Sequence, residues 1–80
     1  MDEQALLQRT TFNPKMLGGK PIIRGRRLAV EHVLGMMAAG CTREELLDDY
    51  PFLEPEDIQA CLVFAWRMVA GERFEPVSVE

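Results

Sequence analysis

Apolar residues in the second half of the chain recur with the spacing of amphipathic helices, which predicts three helices there. The first is expected over residues 30–39, where Gly40 stops it because glycine suits the position just after a helix. The second begins at Thr42, since Thr42 with Glu45 three residues later forms a capping box. Pro51 ends it, because proline cannot continue a helix. A tight turn therefore joins the first two helices.

The third predicted helix is the longest and the most apolar. It begins at Pro55, a favoured first helical position, and runs to about Ala70, with Gly71 as its cap. Its apolar residues form one stripe with flanks on both sides: Ile58, Cys61, Leu62, Ala65 and Val69 in the stripe, Phe64 and Met68 on one side, and Trp66 on the other. A helix that is apolar almost all round is expected to be covered on every side.

A single chain of 80 residues is too small to bury the two apolar helices, at residues 30–39 and 55–70, on every side. We therefore expect a homodimer, in which a second copy supplies the missing cover through one self-complementary patch. A different protein could supply it instead, and the sequence leaves this open. The residues expected at the dimer interface are Met37, Leu62, Trp66 and Val69.

A short β-hairpin is predicted ahead of the helices. Residues 22–23 and residues 28–30 are β-prone and flank Arg24-Gly25-Arg26, where glycine suits a turn with positive φ. A two-stranded ribbon alone is marginal in water, so it must pack on the helices. The expected fold is mainly α: a three-helix, helix-turn-helix-like domain preceded by a short β-hairpin.

The length is that of one domain. We divide the chain into an N-terminal arm at residues 1–14, the helical domain at residues 15–71, and a C-terminal tail at residues 72–80. The chain lacks an apolar run of about 20 residues that could span a membrane. It also lacks a basic and apolar leader at its start. We therefore expect a cytoplasmic protein with reduced thiols and no membrane partner.

Charge is distributed unevenly along the chain. Residues 1–40 carry six Lys/Arg against three acids, a net of +3, whereas residues 41–80 carry three Arg against ten acids, a net of −7. The whole chain has a net charge of −4, which argues against strong non-specific binding to nucleic acid. The asymmetry nevertheless indicates an electrostatic partner for the first half.

The sequence gives little support for catalysis or metal binding. His32 is the only histidine, and it lacks zinc-ligand spacing with Cys41 and Cys61. Gly19-Lys20 is not a phosphate-binding loop, because a proline follows where a hydroxyl residue is needed. The acidic pairs, Glu44-Glu45, Asp48-Asp49 and Glu56-Asp57, are expected at helix starts or facing solvent. We expect no enzyme, no metal and no cofactor.

Nucleic-acid or partner binding is better supported, at the predicted hairpin. Its cations are Lys20, Arg24, Arg26 and Arg27. Arg-Gly-Arg segments can enter narrow A·T minor grooves. The third helix is a poor reader of DNA, because Glu54, Glu56 and Asp57 at its start would repel phosphates.

Four spaced motifs together resemble one known family. They are Gly18-Gly19-Lys20-Pro21-x-Ile23-Arg24-Gly25-x-Arg27-x-x-Val30, Gly40-x-Thr42-x-Glu44-Glu45-x-Leu47, Tyr50-Pro51-x-Leu53, and Glu56-Asp57-Ile58. This combination is similar to the DUF433 family, and the resemblance covers roughly residues 12–70. It implies a homeodomain-like, helix-turn-helix antitoxin of the VapB type that binds a PIN-like nuclease toxin and operator DNA.

The alternative is a protein-interaction or oligomerisation module without DNA binding, and salt-dependent binding to duplex DNA separates the two. Two positions depart from the family pattern. Its Gly-Thr-Arg turn reads Gly25-Arg26-Arg27, and its Leu-Thr before the third helix reads Leu53-Glu54. The second change removes a good N-cap residue and adds an acid where DNA would lie.

Overall fold

Four α-helices and a two-stranded antiparallel sheet make up residues 2–71, the part of the chain that this computed structural model describes. Their bounds in chain order are α1 Glu3–Leu7, β1 Thr10–Phe12, β2 Pro21–Ile23, α2 Val30–Ala38, α3 Arg43–Asp49 and α4 Pro55–Gly71. A 3₁₀ turn, Leu17–Gly19, precedes β2. The prediction of a small, mainly helical domain with an N-terminal antiparallel hairpin is confirmed.

Local signals place the three larger helices correctly. At the start of α3, the Thr42 hydroxyl accepts a hydrogen bond from the Glu45 amide at 3.1 Å. The Glu45 carboxylate accepts one from the Thr42 amide at 2.8 Å, which completes the predicted capping box. After α2, Gly40 has a φ of +103°, a conformation that side chains with a Cβ rarely adopt. These ends depend on neighbouring residues alone.

The predicted strand pairing of the hairpin is wrong. β2 pairs with β1, in the register Thr10↔Ile23 to Phe12↔Pro21, and not with residues 28–30. Ala29 makes only an isolated bridge to Ile22, and Val30 already begins α2. Because α2 needs its first turn in helical geometry, the segment after the tight turn is too short to form a strand.

The segment predicted as an N-terminal arm carries α1 and β1. Asp2 caps α1 by accepting a hydrogen bond from the Gln4 amide at 3.2 Å. Leu6 is buried as α1 packs on α4. The Arg67 guanidinium also donates to the Glu3 carboxylate at 2.6 Å, linking the two helices. The predicted tail at residues 72–80 lies outside the described residues.

The apolar core lies between β2 and the three larger helices. Its buried residues are Ile23, Leu28, Val30, Val33, Leu46, Leu53, Ile58 and Cys61. All but the first two come from the helices or from the connection before α4. Because the first turns of α4 contribute Ile58 and Cys61, this end of α4 is fixed against every other element of the core.

Candidate functional site

Arg24, predicted to bind a partner, instead points inward to the start of α4. Its Nε donates to Asp57 Oδ1 at 2.9 Å, and its Nη2 donates to Asp57 Oδ2 at 2.9 Å. Nη2 also donates to the carbonyl oxygen of Phe52 at 2.7 Å. Arg24 and Gly25 both have positive φ, at 43° and 70°. The bidentate contact therefore ties the turn after β2 to α4.

Asp57, predicted to face solvent, is completely buried, with 0% of its surface exposed. Besides Arg24, it accepts a hydrogen bond from Arg9 Nη1 at 2.9 Å. Arg9 Nη1 also pairs with Glu54 Oε1 at 2.8 Å. Four side chains from three parts of the chain thus form one network, which we call the Asp57 cluster: Arg9, Arg24, Glu54 and Asp57.

Asp57 also makes a capping contact at the start of α4, where the sequence lacks a good N-cap residue. Asp57 Oδ2 accepts a hydrogen bond from the Glu54 amide at 2.9 Å, which is the returning half of a capping box. The spacing from Glu54 to Asp57 could have revealed this contact, because it is the spacing found at Thr42 and Glu45. The burial of Asp57 had no comparable local signal.

The pKa values of the cluster follow from its contacts. Burial alone would raise the pKa of the Asp57 carboxyl, but hydrogen bonds from Arg24, from the Glu54 amide and from Arg9 outweigh it and hold the pKa below its usual value. The pKa of Arg24 is raised, mainly by its hydrogen bonds to Asp57. Asp57 is therefore a structural anion at neutral pH.

The other predicted cations have different surroundings. Lys20 Nζ lies 3.0 Å from Glu31 Oε2 in an exposed ion pair. Arg26 and Arg27 are exposed; the Arg26 backbone is hydrogen-bonded to Ile23 and Leu28, but neither guanidinium forms a hydrogen bond or an ion pair within the described residues 2–71. The Arg26 guanidinium lies over the ring of Phe52, with its carbon 4.9 Å from the ring centroid. In two of the four predicted cations the guanidinium donors are thus unused within residues 2–71.

The predicted apolar stripe of α4 divides into a buried and an exposed part. Ile58 and Cys61 are in the core, whereas Leu62, Trp66 and Val69 are 42%, 58% and 72% exposed. These three residues lie within about 60° of one another around the helix, so they share one side. We call this side the α4 apolar face. Met37, the fourth residue predicted at the dimer interface, is half-buried against the core.

Within residues 2–71, no three His, Cys, Asp or Glu side chains are grouped so that they could hold a metal ion. Cys61 is buried, and burial together with the charge of Asp57 raises the pKa of its thiol to about 12. No helix among these residues is long and apolar enough to cross a membrane.

Fold and site together define a small, mainly helical domain whose N-terminal hairpin is tied to α4 by arginines that pair with a buried carboxylate. The family described as "Protein of unknown function (DUF433)" matches residues 11–65. This match covers more than half of the chain, so the protein belongs to the DUF433 family.

Two relatives extend this assignment. The "Uncharacterized protein y4eO" of Sinorhizobium fredii is 36% identical over 64 residues, which are 80% of this chain but 29% of that protein. The chain therefore spans less than a third of that relative. The crystal structure of a DUF433 member from Anabaena variabilis is similar with a TM-score of 0.75 and 28% identity. The similarity covers 84% of this chain and 66% of that one.

Proposed function

We propose that this protein is an antitoxin-type regulator that pairs with a second copy of itself and binds a PIN-like nuclease toxin in the cytoplasm. The α4 apolar face is the main observation in support. A tryptophan 58% exposed beside Leu62 and Val69 is a large apolar area for a small domain. Contiguous exposed apolar surface of this kind is typical of protein–protein contacts.

The dimer uses the α4 apolar face on both copies. In a two-fold pair the same patch meets itself, so Leu62, Trp66 and Val69 of each chain cover those of the other. Aromatic residues such as Trp66 contribute most at such interfaces because they bury large area with few rotatable bonds. Met37 is a peripheral contact in this arrangement, since it already packs on the core.

The toxin is bound through Arg26 and Arg27. A nuclease of the PIN-like type holds its metal in a cluster of acids, so its active site is negative. Guanidinium groups pair bidentately with carboxylates, and within residues 2–71 the guanidinium groups of these two arginines form no hydrogen bond or ion pair. Arg24 is not part of this contact, because its Nε and Nη2 donors are used by Asp57 and Phe52.

Operator binding is the second component of the proposal. In a homeodomain-like, helix-turn-helix arrangement α4 would be the recognition helix, but Glu54 and Glu56 stand at its start. The DNA contact is therefore assigned to Arg26 and Arg27 on the turn. Because Lys20 pairs with Glu31 and Arg24 with Asp57, a protein-interaction module without DNA binding is the second candidate function.

The decisive experiment is co-purification with the product of the neighbouring open reading frame. We expect a small nuclease that elutes with the wild-type chain and is lost on Arg26→Ala with Arg27→Ala. The matched control is Arg43→Ala, an exposed arginine on α3. A neighbouring gene of another type, together with pull-downs that return only this chain, would remove the antitoxin assignment.

The operator is tested with the same variants and a duplex from the upstream region. Loss of both arginines should reduce the slope of log affinity against log salt by about 1.8 units per subunit. Wild-type protein that fails to bind any duplex, yet retains the toxin, would favour the interaction module.

A variant without residues 72–80 tests whether the predicted tail takes part in the toxin contact.

A further inference from the structure

Four planar or cationic side chains from three parts of the chain form a continuous row. The Arg26 guanidinium lies 4.9 Å from the centroid of the Phe52 ring. That ring meets the Tyr50 ring edge-on at 6.1 Å, and Tyr50 Oη lies 3.3 Å from Nε2 of His32. We call Arg26, Phe52, Tyr50 and His32 the stacking row. It joins the turn after β2, the connection between α3 and α4, and the first turn of α2.

The row is preformed and accessible. The Arg26 guanidinium lies over the Phe52 ring, and this contact engages none of its N–H donors. Arg26 and His32 are exposed, and Tyr50 and Phe52 are half-buried. Arg27 stands next to Arg26 and is also exposed. One end of the row therefore carries two positive charges.

A shallow trough continues the row along α2. It has a volume of about 370 Å³, and His32 and Met36 form part of its wall. Tyr50 Oη reaches Met36 Sδ at 3.9 Å, so the row and the trough share this edge. Gly35 lines the trough without a side chain, with open space above its Cα. The acid in the trough, Glu31, is paired with Lys20.

We propose that the stacking row binds single-stranded nucleic acid. Bases stack on the planar groups of Arg26, Tyr50 and His32, while phosphates pair with Arg26 and Arg27. A duplex can contact the two arginines through its phosphates but cannot stack on the row, because the faces of its bases are covered by their neighbours. An acidic peptide would use the two arginines but leave Tyr50 and His32 without a planar partner. This binding goes beyond the proposed pairing with a toxin and does not depend on it.

The test measures fluorescence anisotropy of the full chain with labelled oligomers of roughly 12 nucleotides, in about 50 mM salt. The three probes are oligo-U RNA, oligo-dT and a mixed-sequence DNA duplex. We expect both single strands to bind at least about fivefold more tightly than the duplex. Preference for RNA over oligo-dT would add a contact to the 2′-hydroxyl, and equal binding would indicate that the base faces dominate.

Variants of the row separate stacking from charge. Phe52→Leu and His32→Ala should each weaken single-strand binding about five- to 100-fold, whereas Phe52→Tyr should retain it. Arg26→Ala should also reduce the salt slope by about 0.7 unit. Arg43→Ala is the control for a lost exposed charge and should bind like the wild type. Circular dichroism checks the fold of each variant, and exposed His32 provides a variant that spares the core.

Three results would overturn the assignment. The first is duplex binding as tight as single-strand binding, which would instead support the operator proposal. The second is single-strand binding that survives both Phe52→Leu and His32→Ala, or that is absent up to about 100 µM protein. The third is displacement of oligo-dT by poly-glutamate as effectively as by unlabelled oligo-dT, which would assign the row to an acidic protein partner.

Discussion

Arg24 and Asp57 lie 33 positions apart in the sequence and make a bidentate contact, Nε to Oδ1 and Nη2 to Oδ2, both at 2.9 Å. The arginine is in a turn with positive φ, and the carboxylate is in the first turn of α4. Because Asp57 is buried and Arg24 also reaches the carbonyl of Phe52, this contact fixes three segments together. It also determines which arginines of the turn remain on the surface.

Removing Arg24 should destabilise the fold and not merely weaken binding. Arg24→Ala leaves the buried Asp57 carboxylate with fewer donors, and we expect a loss of about 3 kcal/mol in the free energy of unfolding. Urea denaturation followed by circular dichroism measures this loss. The control is Arg27→Ala, which is exposed and should change stability by less than about 0.5 kcal/mol. Equal stability of the two variants would contradict the role given to the cluster.

Acid should weaken the fold through Asp57. The pKa of Asp57 is lower in the folded protein than in the unfolded chain, where the pKa of an aspartate is about 3.9. The carboxylate therefore contributes its full stability above that unfolded value, and the contribution is lost as pH falls through the lower folded value. We expect the free energy of unfolding to fall steeply below about pH 4 in the wild type.

Asp57→Asn is the matched variant for this pH dependence, since it keeps the shape but cannot titrate. Its stability at neutral pH should be lower, and its slope against pH below about pH 4 should be shallower than that of the wild type. Urea titrations at a series of pH values provide the comparison. Parallel curves for the two proteins would show that other acids account for acid unfolding.

The dimer can be tested at the α4 apolar face. Sedimentation at micromolar concentration should give about twice the chain mass for the wild type, and Leu62→Ala with Trp66→Ala should reduce it to one chain. Met68→Ala is the control, because Met68 is 57% exposed, like Trp66, but lies on a different side of the helix. A monomeric wild type, or a double variant that stays dimeric, would exclude this interface.

The capping box at the start of α3 should make a small but measurable contribution to the free energy of unfolding. Thr42→Ala removes the hydroxyl that accepts from the Glu45 amide, and we expect a loss of about 1 kcal/mol. Thr42→Ser retains a hydroxyl and should remain close to the wild type. Thermal or urea unfolding of the two variants side by side gives the difference, and an equal loss in both would assign it to the methyl group instead.

The sequence alone determined the mainly helical class, the start and stop of α2 and α3, the start of α4, and the family. Those features depend on contacts between near neighbours: Thr42 with Glu45, a proline at a first helical position, a glycine after a helix. The exposed residues of the α4 apolar face were also anticipated, because the stripe is longer than one small core can cover.

Only the tertiary structure decided which strands pair and which charged side chains are buried or paired. β1 was not predicted and lies in the segment assigned to the N-terminal arm. Three residues are too few to show an alternating pattern, and the strand is stabilised by its pairing with β2. Asp57 and Arg24 looked like surface charges because nothing adjacent to them in sequence indicates burial. A buried carboxylate must be paired and hydrogen-bonded, and the charged donors that meet Asp57, Arg9 and Arg24, come from 48 and 33 positions away in the sequence.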